Sequence, residues 1–161
     1  MFVTAVVTAL LAQTLPSISL ACERNERGNC ILNYEGKPLA RVDGTDAEHA
    51  LKFYQPYFTC YYGRLTGDDG FGSPDAETAT AAMLRAGQDC AEERVRADQL
   101  LDDLLVERKV YGDEHHRAFV REFFRREAGS AFVYATAQEE GLGEQVETMS
   151  EAYVQTQVSG Q

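Results

Sequence analysis

Between Ala50 and Tyr62 the chain reads ALKFYQPYFTCYY, with Phe53, Tyr54, Tyr57, Phe58, Tyr61 and Tyr62 surrounding Cys60. A stretch this bulky and apolar has to be covered by the rest of the molecule. Just upstream, Thr45-Asp46-Ala47-Glu48 matches a capping box, in which a threonine hydroxyl and a glutamate carboxylate satisfy each other's orphan backbone N–H groups. A helix begun there gathers Phe53, Tyr54, Tyr57, Cys60 and Tyr61 on one broad face, widened by Phe58 and Tyr62. That arc exceeds the stripe of an ordinary surface helix. Two readings follow: a central core helix, or a helix that offers Phe53, Tyr54, Tyr57 and Tyr61 to a ligand or peptide. Pro56 removes a hydrogen bond and crowds the preceding turn, so a kink or a restart is expected there, with an end at Gly63.

The remaining pattern is helical. Ser73-Pro74-Asp75 reads as a serine cap, a proline at the first helical position and an acid in the first turn. Ala79, Met83, Ala86, Cys90, Ala97, Leu101 and Leu104 then recur at spacings close to three and four, predicting over residues 74–111 one long helix bent near Gly87, the preferred reading, or two helices meeting there. Asp89-Cys90-Ala91-Glu92 also has the form of a second cap. Gly112-Asp113 opens a further helix to about Glu127, and Gly129-Ser130 interrupts it. A short helix from Ala131 to Glu140 follows, then a turn at Gly141 and Gly143, then a last helix carrying Val146, Met149 and Tyr153. Cys30 to Tyr34 and Leu39 to Val42, separated by Glu35-Gly36-Lys37-Pro38, suggest a small hairpin.

The N-terminus speaks to destination. An apolar run from Phe2 to Leu15 ends in small residues at Ser19 and Ala21, the layout of a secretory leader cut after Ala21, although no basic residue precedes it. The run is too short and too interrupted for a membrane span. Export, periplasmic or secreted, suits an even cysteine number. Bridges are expected between Cys22 and Cys30 and between Cys60 and Cys90, because Cys60 and Cys90 fall on inward faces of successive helices. Lipid attachment at Cys22 is the alternative, and it would leave an odd thiol. The organisation read from the chain is a leader over 1–21, a hairpin or irregular segment over 22–44, and an all-α, disulfide-stapled bundle of four to five helices over 45–158.

Charge and motifs narrow the function classes. A net charge of −11 argues against nucleic acid and anionic membrane as partners. No Walker loop, dinucleotide-binding glycine pattern, nucleophile elbow, Cys-x-x-Cys or haem-attachment motif is present. No cofactor is called for. His116 shares an arc with Val120, Phe123 and Glu127, but three turns separate it from Glu127. A metal site would need His49, His115, His116 and Glu48 to meet across helices. Asp68-Asp69-Gly70-Phe71-Gly72-Ser73 is oxygen-rich but lacks the alternating register of a calcium loop. Arg117, Arg121 and Arg125, four apart, form a basic ridge whose like charges repel. Either acids of the preceding helix (Glu92, Glu93, Asp98, Asp102, Asp103) cover the ridge, or an anionic partner does. The leading expectation is an exported, non-catalytic protein that binds another protein or a small molecule. The alternatives are a hydrolase or metal-dependent enzyme built around His116, and a structural envelope component.

Overall fold

The computed structural model describes residues 22–24, 30–34, 37–38, 42, 44–109 and 113–159, the side chains of 22–38 and 155–159 excepted. The expected leader over 1–21 lies outside them. The chain divides into two compact units, one ending at Leu39 and one beginning at Ala40.

The first unit holds three short strands, β1 (Cys22–Arg24), β2 (Cys30–Tyr34) and β3 (Lys37–Pro38), paired antiparallel in the order β1-β2-β3. The expected partner for β2 was Leu39 to Val42. Instead Asn33 pairs with Pro38 and Tyr34 with Lys37, which leaves the two-residue connection that hairpins favour. Pro38 is tolerated because β3 is an edge, where a missing donor costs no ladder bond. The Cys22–Cys30 bridge falls on side chains outside the described residues.

The second unit is all-α, and its described residues contain no strand. Its helices are α1 (Gly44–Thr66), α2 (Ala76–Asp89), α3 (Ala91–Arg108), α4 (Glu114–Glu139) and α5 (Gly143–Ser159). None is long and apolar enough to cross a membrane. Helix α1 is the hub. Asp46–Arg108, Tyr54–Asp98 and Cys60–Cys90 pair it antiparallel with the α2–α3 segment. Tyr54–Phe124, Phe58–Phe132 and Tyr62–Glu140 pair it in the same direction with α4.

Five local expectations are corrected. Helix α1 starts at Gly44, so Thr45 lies in its first turn and not at its cap. It runs through both Pro56 and Gly63. Pro56 and Lys52 are exposed, so the carbonyl that proline leaves without a partner faces water. The cap of α2 is Asp75, whose carboxylate accepts the Thr78 N–H at 2.8 Å, while Ser73 Oγ accepts the Asp75 N–H at 3.2 Å. The expected long helix is interrupted at Cys90 (φ −106°, ψ 25°), with Gly87 inside α2. Finally, α4 is continuous through Gly129, where a Cβ would come within 3.1 Å of the Phe58 ring. That glycine serves helix approach and not helix termination.

The core follows from these pairings. Ala79, Ala82 and Ala86 bring α2 close to its neighbours, around Tyr62, Leu65, Val133, Ala137, Met149 and Ala152. Tyr54, Leu101 and Val120 are fully buried towards the other end. Asp113 caps α4, accepting the His116 N–H at 2.7 Å. Helix α4 ends in a Schellman turn. The Leu142 N–H reaches the Ala137 carbonyl at 2.7 Å, the Gly141 N–H reaches that of Gln138 at 3.3 Å, and Gly141 takes φ +74°.

Candidate functional site

Helix α4 meets α3 through an ionic seam. Arg117 Nε donates to Asp102 Oδ1 at 3.0 Å, and Arg121 donates to the same carboxylate. Arg125 Nη1 donates to Asp98 at 3.0 and 3.2 Å, and its other nitrogen donates to Glu122. The three guanidinium side chains are only 15%, 18% and 17% exposed. Asp98 and Asp102 repeat the arginines' four-residue step on the facing helix, so repulsion along each helix is cancelled across the interface. The Tyr54 hydroxyl also donates to Asp98. Burial, reinforced by the Asp98 bond and charge, holds that phenol far above its ordinary pKa. It remains a neutral donor that ties α1 into the seam. The ridge read in the sequence is therefore covered from within the chain by Asp98 and Asp102.

On its other side α4 runs beside α1, with clefts flanking their ring contacts. A cleft of about 420 Å3 is lined by Val42, Leu51, Val120, Phe123, Phe124, Glu127 and Ala128. A second, of about 470 Å3, is lined by Glu48, Leu51, Lys52, Gln55, Phe58 and Phe132. The two share Leu51 and make one groove. From Val120 to Phe132 it runs about 18 Å along α4 at the helical rise per residue. Its floor is aromatic: Phe58 is 3% exposed, tilted against Phe132 at 5.7 Å between ring centres. Leu51, 46% exposed, stands at the junction. Glu48, Lys52, Gln55 and Glu127 supply the polar rim. This is the concave, mostly apolar surface with a few polar groups that binding sites share.

The sequence candidates distribute around these two features. Tyr54 and Tyr57 are buried, while Phe53 and Tyr61 are half-buried. Burial, and next the neighbouring Tyr57 and Tyr153 phenols, push Tyr61 up to about 12. Burial followed by Glu140 pushes Tyr62 up to about 12 as well. Glu127 lines the groove, whereas His116 sits in the first turn of α4 beside its cap and is not among the lining residues. Among the described residues no three His, Cys, Asp or Glu side chains are grouped to hold a metal. In the glycine loop, Asp68 is engaged by Arg85 at 2.7 and 2.8 Å and by the Gly70 N–H at 2.8 Å. The Arg85 bonds, then Gly70, hold its carboxyl at about 2. Asp68 thus secures the loop to α2.

Cys60 and Cys90 form the expected bridge, with Cα atoms 5.9 Å apart. The groove itself escaped sequence reasoning. Leu51 lies off the aromatic face, and cutting α4 at Gly129 separated Phe132 from Phe123 and Phe124. Treating Gly129 as a close-approach glycine would have joined them. Compared with family models, curated proteins and solved structures, the chain matches none.

Proposed function

We propose that this chain is an exported, non-catalytic binding protein whose recognition surface is the groove between α1 and α4. The supporting observation is the set of aromatic rings, Phe123 and Phe124 in one cleft and Phe58 and Phe132 in the next, that meet at Leu51 and open to solvent. A groove of this kind holds an apolar group by area and shape, with the polar rim setting orientation. The catalytic reading around His116 draws less support, because the groove brings Glu127 but not His116 to its lining.

The test is titration with the apolar fluorophore anilinonaphthalene sulfonate. The folded chain should bind it saturably, and Leu51→Asp should weaken binding at least tenfold, the ratio that about 1.4 kcal/mol gives. Equal binding by both proteins at equal stability removes the groove from consideration. Export is tested separately by intact mass. A chain beginning at Cys22, with no thiol alkylated before reduction, supports it. A chain retaining Met1 with alkylatable thiols refutes it.

A further inference from the structure

The interruption between α2 and α3 is not held by a local cap: Asp89-Cys90-Ala91-Glu92 has the form of one, yet no side chain accepts from the first turn of α3. Gln88, Asp89, Ala91, Glu92 and Glu93 include neither proline nor glycine, and Gly87 is accommodated inside α2. The buried positions Ala79, Ala82, Ala86, Cys90, Ala97, Leu101 and Leu105 keep helical phase across it. Only Cys90 leaves helical geometry, and no side chain caps α3 there. The first bond of α3 runs from the Arg94 N–H to the Cys90 carbonyl at 3.1 Å, so the N–H groups of Ala91, Glu92 and Glu93 occupy the orphan positions of a helix start. The one thing that distinguishes Cys90 is its bond to Cys60 on α1.

We propose that the Cys60–Cys90 bridge is a redox-sensitive lock: it imposes the corner between α2 and α3, and its reduction lets the two helices join into one. The reductant is a dithiol. Cys90 is fully buried while Cys60 keeps partial exposure, so a thiolate attacks the Cys60 sulfur. The bond to Cys90 breaks and the Cys90 sulfur takes a proton. The second thiolate of the reductant then displaces the Cys60 sulfur, which takes the other proton, and the reductant leaves as a disulfide. Two electrons have passed to the protein. Freed from α1, Cys90 can adopt helical angles. The Ala91, Glu92 and Glu93 N–H groups then gain the carbonyls of Gly87, Gln88 and Asp89.

This inference is independent of the groove, and its sign is unusual, since breaking a covalent bond should increase local order. Amide hydrogen exchange of the full chain reads it directly, oxidised against dithiol-reduced. The double variant Cys60→Ala/Cys90→Ala, which leaves Cys22 and Cys30 as they are, serves as the second arm. The expected result in both arms is exchange slowed roughly fivefold at Ala91, Glu92 and Glu93, as one net hydrogen bond per amide gives, with α1 still protected. Unchanged or faster exchange at those amides assigns the corner to packing and overturns the proposal. Protection lost throughout the helices, the mark of a bridge that only staples the fold, overturns it as well.

Discussion

Helix α4 presents two unlike faces. Towards α3 it is closed by paired charges, with Arg117, Arg121 and Arg125 meeting Asp98 and Asp102 and little solvent left between them. Towards α1 it is apolar: Phe124 packs on Tyr54 and Phe132 on Phe58, and beside those contacts Phe123, Phe124 and Phe132 line an open groove. In an isolated sequence the charged face admits both an internal and an external partner, and in the fold the facing carboxylates Asp98 and Asp102 take it up. Half-buried guanidinium groups must find carboxylates or stay solvated, so a basic ridge facing a neighbouring helix tends to be consumed internally. Apolar surface carries no such pairing requirement and can be left over beside the contacts of two helices.

This contrast can be broken or sharpened by experiment. The largest effect is expected at the groove floor. Phe58→Ala removes a ring that packs on Tyr54, Tyr57 and Phe132 and should cost about 3–5 kcal/mol in urea unfolding. A loss below about 1 kcal/mol would mean that the floor is not part of the core. In the seam, Arg125→Ala leaves Asp98 with Tyr54 alone. It should cost about 2 kcal/mol, less than a fully buried broken pair because the seam is partly solvated.

Helix approach gives the next test. Gly129→Val presses on the Phe58 ring and should destabilise by about 1–3 kcal/mol. If it stabilises, the continuity of α4 through Gly129 owes nothing to Phe58. The tyrosines of α1 add a pH dependence. Phenols raised above the ordinary value of 10.0, with Tyr61 and Tyr62 reaching about 12, stay protonated in the fold after the unfolded chain has begun to ionise. Their contribution is complete below pH 10 and is lost as pH rises through about 12. Urea midpoints measured between pH 9 and pH 12 should fall, and Tyr54→Phe should blunt the fall, since its phenol is also held neutral. The smallest effect belongs to Leu51→Asp. Stability should change by no more than about 0.5 kcal/mol even as fluorophore binding is lost, which separates recognition from folding on a single side chain.

Much of the bundle was legible in the sequence. The hub helix, the cap at Asp113, the turn before α5 and the inward-facing Cys60 and Cys90 all follow from periodicity and end signals. Errors gathered where one residue type has two physical uses. Gly63 and Gly129 look like terminators but sit within helices, the second because Phe58 needs the space. Pro56 looks like a break but loses its bond on the wet side. Cys90 reads both as a stripe residue and as part of a second cap, and it is where the helix stops. The seam was offered as one of two readings, and choosing between them required knowing that Asp98 and Asp102 face α4 while Glu92 and Glu93 do not pair there.

By itself the sequence determined that helices form and which face of each turns inward, because those properties depend on residues within a few turns of one another. The tertiary structure alone decided which of the candidate breaks, Gly87 or Cys90, cuts the α2–α3 segment, which charges are spent on one another and where apolar surface remains open. Each of these depends on partners far apart in the chain, Cys60 with Cys90, Arg125 with Asp98, Phe58 with Phe132. No local pattern can specify such distances before the helices have packed.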